Sequence, residues 1–284
     1  MIVVTGASGQ LGRLVIQSLL ARLPASQIVA AVRRPESVAD LAAQGVQVRQ
    51  ADYTQPASLD AAFRGAEKVL LISSSEVGQR TVQHRNAIDA AARAGVGLLA
   101  YTSLLHADTS PLGLAAEHCA TETHLKSAGV PFVVLRNGWY TENYLASIAP
   151  ALQHGAFIGC AGEGRIASAA RADYAEAAAV ALTAPDQAGK VYELAGDDAY
   201  TLAEFAAELS RQTDKQIPYV NLAEADFKAA LLGAGMPEPL AALLADSDRG
   251  AAAGALFDDQ RQLGTLIGRP TTPLADMIAA ALRG

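Results

Sequence analysis

The chain has 284 residues, of which 51% are hydrophobic and 18% are charged. This length suits one or two closely packed domains, and the composition excludes an intrinsically disordered chain. The formal net charge of −7 at pH 7 excludes a general affinity for nucleic acid, because phosphate binding requires clustered Lys and Arg side chains.

The first half of the chain alternates short apolar segments with segments of helical periodicity. Six apolar segments indicate buried strands, at residues 2–5, 28–32, 46–48, 69–73, 98–103 and 132–136. Several of the helical segments between them close on a glycine, as helix C-termini often do. Strands that alternate with helices predict an α/β fold with a Rossmann-type, doubly wound parallel sheet.

The pattern is looser after Arg136. It predicts a helix near residues 143–153, a short strand at "FIG", a helix over about 172–183, a strand at "KVYELAG" and mostly helical segments from Thr201. We therefore predict a dinucleotide-binding core over residues 1–136, with contributions from about 155–197. Residues 137–154 and 198–284 are expected to form a smaller, mostly helical C-terminal cap, with a pocket between sheet and cap.

Cysteine usage and hydropathy indicate a cytoplasmic protein. Cys119 and Cys160 lie far apart without a CxxC spacing, so we expect two reduced core residues and neither a disulfide nor a thiolate metal site. His118, Glu122 and His124 lack a metal-ligand spacing and indicate a helix face. The first strand starts at once, without a signal-peptide pattern, and no segment is apolar over the roughly 20 residues of a membrane span.

A glycine-rich loop follows the first strand. In "TGASGQLG", Gly6, Gly9 and Gly12 lie between this strand and the next helix. Glycines permit a tight turn and close approach to a pyrophosphate, while the helix N-terminus supplies N–H groups and partial positive charge. The motif favours a dinucleotide site over the alternative of a merely structural turn, and the missing Gly-Lys-Ser/Thr ending excludes a P-loop.

The end of the second strand favours NADPH over NADH. A cofactor with a free ribose 2′-hydroxyl calls for an acidic residue there, but the sequence has "VRRPE". The planar guanidinium of Arg33 suits a 2′-phosphate, although a solvated loop charge remains the alternative reading. At the end of the fourth strand, "ISSSE" places small serine side chains at the ligand-binding edge of the sheet; an ordinary polar loop is the alternative.

None of the eight tyrosines is followed by a lysine four residues later. Reduction of a simple ketone produces a strongly basic alkoxide, which needs a placed acid such as this Tyr-Lys pair. Reduction of a quinone leaves a phenolate-like oxygen, whose conjugate acid has a pKa of about 10 on the tyrosine scale. The sequence therefore favours a quinone, or another acceptor that delocalises charge, over simple alcohols and ketones.

Polar and aromatic residues near two strand ends are candidates for the acceptor pocket. They include a histidine after the fifth strand and the segment "LRNGWYTENY" after the sixth, where aromatic rings stack on flat ligands or simply pack between domains. Ser103, at the end of the fifth strand, is expected near the nicotinamide. The pocket candidates are Tyr101, His106, Asn137, Tyr140 and Asn143, and none is assigned a catalytic role.

The segments "GASGQLG", "ISSSEVGQR", "LRNGWYTENYLAS" and "VYELAGDDAYTL" resemble the NmrA-like group of atypical short-chain dehydrogenases/reductases over the whole chain. The resemblance implies two-electron reduction of a quinone by NADPH without a Tyr-Lys pair. It also implies NADPH contacts from Gly6, Ala7, Ser8, Gly9, Gln10, Leu11, Gly12, Arg33, Ser73, Ser74, Ser75, Asn137, Gly138, Trp139, Tyr140, Thr141, Glu142 and Ser168.

Two other functions remain open at this level. Some NmrA-like proteins bind NADP(H) as sensors without turning it over, and a related group reduces triphenylmethane dyes. The expected partner is a small-molecule quinone, with no nucleic acid, no metal and no membrane span, and a homo-oligomer is left open.

Overall fold

A seven-stranded sheet dominates the computed structural model, which describes residues 1–283. The strands, in chain order, are β1 (Ile2–Thr5), β2 (Ile28–Val32), β3 (Gln47–Gln50), β4 (Lys68–Leu71), β5 (Leu98–Leu104), β6 (Phe132–Asn137), β7 (Phe157–Gly159), β8 (Val191–Leu194) and β9 (Tyr219–Asn221). The large sheet has the order β3-β2-β1-β4-β5-β6-β8, and β7 pairs with β9 in a second sheet.

The sheet has the strand order of a Rossmann fold. Strands β1 to β6 pair in parallel, with β1 between β2 and β4. The chain order reverses at β1, and ligands of such sheets bind outside the carboxyl ends of the strands at this switch point. The predicted fold class is confirmed, and the glycine loop lies at the switch point because it directly follows β1.

Helices connect the strands and make up most of the C-terminal part of the chain. They are α1 (Gln10–Leu20), α2 (Ala39–Ala43), α3 (Pro56–Ala62), α4 (Arg80–Ala94), α5 (Ala115–Ser127), α6 (Thr141–Leu145), α7 (Ile148–His154), α8 (Arg171–Thr183), α9 (Leu202–Thr213), α10 (Glu224–Gly233), α11 (Glu238–Ala252), α12 (Gln262–Ile267) and α13 (Leu274–Leu282). The helix predicted near 143–153 is interrupted at Ala146 and Ser147, between α6 and α7.

Apolar side chains on the parallel strands form the core beneath the sheet. All residues of β1, β2 and β5 are buried, as expected for strands covered on both faces. One cluster joins side chains of these strands, such as Val3 and Val29, to Phe63 and Ile88 from the neighbouring segments. This burial fixes the carboxyl ends of the strands, and the residues that follow them form the site.

The chain divides into two units. The first comprises residues 1–108, 116–137 and 171–193, and the second comprises 109–115, 138–170 and 194–284. Residues from about 155 to 197 were predicted to contribute to the dinucleotide-binding core. In the structure, 171–193 lie in the first unit, whereas 155–170 and 194–197 lie in the second.

Aromatic rings form the centre of the second unit. Phe205 on α9 lies 4.8 Å from Phe157, 6.0 Å from Tyr200 and 6.3 Å from Tyr144 between ring centroids. The buried Asp248 on α11 accepts hydrogen bonds from the Cys160 N–H (2.9 Å) and the Tyr144 hydroxyl (3.0 Å). These contacts fix β7 and α6 within this unit.

Both cysteines are free, Cys160 buried and Cys119 only half-buried, so the expectation of two buried thiols is wrong for Cys119. Among residues 1–283, no helix has both the length and the apolar character that a membrane crossing requires.

Candidate active site

The glycine loop has little room for any side chain. Gly6 has a φ of +59°, in the left-handed region that favours glycine. A Cβ atom at Gly12 would lie 2.4 Å from the carbonyl oxygen of Gly6 and 2.7 Å from the Cα of Ala7. The Gly9 N–H closes the turn by donating to Gly6 O at 2.9 Å. The loop therefore forms a cradle of main chain, as close approach of a pyrophosphate requires.

The N-terminus of α1 is open to an anion. Its N-cap residue is Gly9, no side chain caps it, and its first turn holds no acidic residue. The first N–H groups of a helix lack intrahelical acceptors and carry partial positive charge. Ala7 and Leu11 are buried here, whereas Ser8 and Gln10 are exposed beside the open end. This arrangement fits the phosphates of a dinucleotide.

Hydrogen bonds below the loop join three strand ends. The Tyr53 hydroxyl, which follows β3, donates to the carbonyl of Ile72 at 2.7 Å and lies 2.5 Å from the Thr5 hydroxyl. Thr5 Oγ1 accepts from the Ile72 N–H at 3.1 Å. Sequence reasoning missed Tyr53 and Thr5, since their contact depends on the sheet order.

Two arginines near the end of β2, Arg33 and Arg13, differ in their contacts. Arg33, after β2, is largely exposed and its Nη1 lies 3.0 Å from Glu76 Oε1. Arg13, on α1, donates to Asp40 Oδ2 and to the Ser37 carbonyl, each at 2.7 Å. Arg33 therefore remains the candidate, while the guanidinium of Arg13 fastens the segment after β2.

The serines after β4 lie on a fixed main chain. The Ser74 N–H donates to His84 Nε2 at 2.9 Å, and the Ser74 carbonyl accepts from Arg80 Nε at 2.6 Å. The Ser73 N–H donates to the Thr102 hydroxyl at 2.9 Å. Ser74 is buried, whereas Ser75 is exposed. The three serines thus place small side chains on a rigid backbone at a strand end, and their contact with a ligand stays a prediction.

A buried pair of histidines supports this segment. Burial, together with the Arg80 guanidinium, lowers the pKa of both His84 and His118 to about 3. Both rings are therefore neutral. Because His84 Nε2 accepts the hydrogen bond from the Ser74 N–H, the ring proton lies on Nδ1, which donates to Thr121 Oγ1 at 2.9 Å. Burial raises the pKa of Tyr101, whose neutral hydroxyl donates to His118 Nδ1 at 2.7 Å.

The pocket candidate Tyr101 has no exposed surface. This burial favours a supporting position over contact with an acceptor. His118 lies on α5, in line with the predicted helix face, and its side chain is also buried.

Ser103 takes part in a buried ionic network. Its hydroxyl donates to Glu122 Oε1 at 2.6 Å. Arg136, on β6, donates to both oxygens of Glu122, at 2.9 and 2.8 Å, and to Glu193 Oε1 at 2.7 Å. Glu122 also lies on α5, in line with the predicted helix face, and is buried. A glutamate on α5 within reach of two strand ends was not foreseeable from spacing alone.

The same network reaches His106 on the loop after β5. Glu193 Oε2 accepts from the His106 N–H at 2.8 Å and lies 3.7 Å from the ring Nδ1. His106 has a φ of +51°, which is uncommon for a residue other than glycine and is frequent at functional sites. The half-exposed ring is thus held in a defined place near the edge of the sheet.

Asn137 is the last residue of β6 and belongs to the first unit. Its carbonyl accepts from the Leu105 N–H at 3.0 Å, so it lies beside the loop that carries His106. Its side-chain Oδ1 is buried and has no hydrogen-bond partner in the structure. Buried polar atoms are nearly always paired, so an orphaned oxygen at a ligand-binding edge fits a donor from a bound molecule.

The other residues of the Asn-Gly-Trp-Tyr segment lie in the second unit. Tyr140 bridges to Ala169, and the Trp139 ring lies 6.4 Å from that of Tyr144. Trp139 therefore packs in the core of this unit. Gly138 donates its N–H to the carbonyl of Leu194 at 2.7 Å. The half-buried residues Glu142 and Asn143 lie on α6.

A chain of hydroxyls brings two predicted cofactor residues together in this unit. Ser168 Oγ lies 2.8 Å from Thr141 Oγ1 and 2.6 Å from the hydroxyl of Tyr200. These three residues line a small cavity together with residues 271–274. Sequence reasoning missed Tyr200, for which no motif supplied a signal. Across the described part of the chain, no group of three or more His, Cys, Asp or Glu residues is arranged to hold a metal.

The fold and the loop define a Rossmann-type dinucleotide-binding protein. The chain belongs to the NAD(P)H-binding family, whose model matches residues 6–185. It is 61% identical over 279 residues, 98% of each chain, to quinone oxidoreductase 2 of Escherichia coli. The family resemblance inferred from the sequence is confirmed.

Two solved structures are similar to this chain over nearly its full length. An NADPH-dependent quinone oxidoreductase from E. coli, in complex with NADPH, has 61% identity and a TM-score of 0.97, covering 99% of this chain and 100% of that one. The triphenylmethane reductase of Citrobacter sp., in complex with NADP(H), has 39% identity and a TM-score of 0.95, covering 99% of this chain and 100% of that one.

Proposed function

We propose that this protein is an NADPH-dependent quinone oxidoreductase that transfers two electrons as a hydride. The observation that carries the proposal is the 61% identity to quinone oxidoreductase 2 of E. coli across 98% of both chains. The glycine cradle, the open N-terminus of α1 and the orphaned Oδ1 of Asn137 are the local features that fit a dinucleotide.

The chain's own residues would hold NADPH at three points of the first unit. The main chain of Gly6 to Gly12 would take the pyrophosphate, and the guanidinium of Arg33 would take the 2′-phosphate. Asn137 Oδ1 would accept from the carboxamide of the nicotinamide ring. The remaining cofactor contacts implied by the family resemblance, including Ser168, stay predictions.

The acceptor is proposed from the chemistry of protonation. Bound NADPH supplies the hydride, and the chain lacks the Tyr-Lys pair that would protonate an alkoxide. A quinol oxygen needs no strong acid, so water or a weak donor suffices. We assign this weak donor role to the half-exposed His106, which Glu193 orients through its main-chain N–H.

A second candidate function is reduction of another charge-delocalising acceptor. The similarity to triphenylmethane reductase, at a TM-score of 0.95, favours such dyes as alternative acceptors. A sensor that binds NADP(H) without turnover is the third candidate, and it predicts tight binding with no acceptor reduced.

NADPH oxidation at 340 nm with a panel of benzoquinones and triphenylmethane dyes tests these alternatives. The proposal expects rapid oxidation with quinones, one NADPH consumed per quinone, and no semiquinone signal in electron paramagnetic resonance. Oxidation that no quinone accelerates contradicts the proposal, and faster turnover of dyes than of quinones favours the second candidate.

A cytoplasmic location belongs to the same proposal. It is supported by the two free cysteines, which are typical of a reducing compartment, and by the need for NADPH. Cell fractionation with detection of the native protein tests this location.

A further inference from the structure

An ion pair joins the segments that follow the two strands on either side of β1. Arg33 follows β2, and Glu76 lies on the loop after β4; Arg33 Nη1 and Glu76 Oε1 are 3.0 Å apart. In the sheet, β1 lies between β2 and β4, and the glycine loop starts where β1 ends. The pair therefore spans the switch point of the sheet, where a dinucleotide would bind.

Residues that follow β4 hold Glu76 in this position. Gln83, a buried residue on α4, donates from Nε2 to Glu76 Oε2 at 2.7 Å. The Glu76 N–H donates to the hydroxyl of Ser74 at 3.1 Å. The main chain of Ser74 is itself fixed by His84 and Arg80. One carboxylate oxygen of Glu76 is therefore held by Gln83, and the other pairs with Arg33.

The chemistry of the two cofactors differs at this point. The 2′-phosphate of NADPH is a phosphate monoester with close to two negative charges at pH 7, and it requires the guanidinium of Arg33. Glu76 occupies part of that guanidinium and repels the incoming phosphate. The 2′-hydroxyl of NADH carries no charge, and a carboxylate is the usual acceptor for it.

We propose that Glu76 sets the preference between NADPH and NADH by competing with the 2′-phosphate for Arg33. The inference rests on the proposed function, since it requires that NADPH binds along this edge. Glu76 limits the affinity for NADPH and leaves NADH some access, although Arg33 still favours NADPH.

The substitution Glu76→Gln removes the charge but keeps an amide oxygen for Gln83. The Kd for NADPH should fall by about three- to fivefold at low ionic strength, the size expected of a largely exposed ion pair. The Kd for NADH should stay constant or rise, so the ratio of the two affinities increases. High salt should reduce the difference, because the charges are solvent-accessible.

Fluorescence titration of NADPH and NADH against wild type, Glu76→Gln, Arg33→Ala and the double variant tests the inference. In the Arg33→Ala background, Glu76→Gln should improve NADPH binding by much less, since only the direct repulsion between Glu76 and the phosphate remains. Asp60→Asn is the matched control, because it breaks another exposed arginine pair, Asp60 with Arg93 at 2.7 Å, on α3 and α4. It should change neither affinity.

Each outcome of the titration is decisive. An unchanged or decreased NADPH affinity in Glu76→Gln, an equal gain for both cofactors, or a gain of the same size without Arg33 overturns the inference and leaves the proposed function intact. A wild type that binds neither cofactor overturns both.

Discussion

The hydroxyl of Ser103 donates its proton to Glu122 across 2.6 Å, at the end of β5. Glu122 is in turn held by two hydrogen bonds from Arg136, so its carboxylate is fully engaged. Ser103 was expected near the nicotinamide, yet its only side-chain proton points to Glu122, inside the protein. The relationship indicates that this serine stabilises the strand end rather than handling the proton of the acceptor.

Ser103→Ala should therefore reduce stability more than activity. We expect the free energy of unfolding to fall by about 1 to 2 kcal/mol, since the lost hydrogen bond has a charged acceptor. The kcat should change by less than about threefold, whereas removal of a general acid costs about 100-fold or more. Steady-state kinetics and urea unfolding measure the two effects, with the exposed Ser127→Ala as control; a 100-fold loss of kcat would contradict this role.

Gly12→Ala should abolish tight cofactor binding. The new Cβ would lie 2.4 Å from the carbonyl oxygen of Gly6, so the loop has to move. An overpacked site of this kind costs about 1–3 kcal/mol, and we expect the Kd for NADPH to rise about tenfold or more, since each 1.4 kcal/mol is tenfold.

Gly233→Ala on α10 is the matched control, because no atom lies within 4 Å of its new Cβ. It should bind NADPH normally and gain about 0.5–1 kcal/mol of stability, since alanine is the better helix former. Fluorescence titration and thermal unfolding of both variants check this, and normal binding by Gly12→Ala would show that the cradle is not the cofactor site.

Local patterns predict the sheet but not the contacts between distant segments. Buried β-branched segments identified the strands of the Rossmann sheet from the sequence. Strand β9 was not predicted, because none of its three residues is buried and its partner β7 lies some 60 residues earlier. The equally short β7 was predicted, since two of its three residues are buried.

In the site, too, local features could be predicted from the sequence and contacts between distant segments could not. The glycine loop was found because a turn and a helix start are local features. Glu122 was interpreted only as part of a helix face, since its pairing with Arg136 depends on the tertiary packing of α5 against two strand ends. Glu76 gave no signal at all, because its contact with Arg33 depends on the strand order β2-β1-β4.

Stability should fall as the pH decreases below about 6.5. The pKa of His84 and of His118 is about 3 in the folded protein, so the unfolded chain binds protons at higher pH than the folded one. Their contribution is full above pH 6.5 and is lost towards pH 3. Burial raises the pKa of Asp248 to about 6, which opposes this trend between pH 6 and 4.

Between pH 6 and 4, the two histidines and Asp248 together make the unfolded chain bind about one proton more than the folded protein. These three groups therefore contribute a slope of about 1.4 kcal/mol per pH unit to the free energy of unfolding. Urea unfolding at several pH values measures the slope. His118→Gln should reduce it by about one proton, whereas the exposed His154→Gln should leave it unchanged. A slope that is the same in all three proteins would show that His118 is not buried in its neutral form.

Asn137→Leu should separate function from stability. Its Oδ1 is buried without a partner, and such an atom costs free energy that a leucine of similar size avoids. The free protein should therefore be as stable as wild type or more stable, as is common when a functional polar group is removed.

NADPH binding by Asn137→Leu should weaken, because the side chain no longer accepts a hydrogen bond from the carboxamide of the cofactor. Differential scanning calorimetry with and without NADPH measures both effects. The unfolding temperature of the free variant should not fall. The increase in unfolding temperature caused by saturating NADPH should shrink by several degrees, since ligand stabilisation follows RT ln(1 + [L]/Kd). A destabilised free protein with an unchanged NADPH response would instead assign Asn137 a purely structural role.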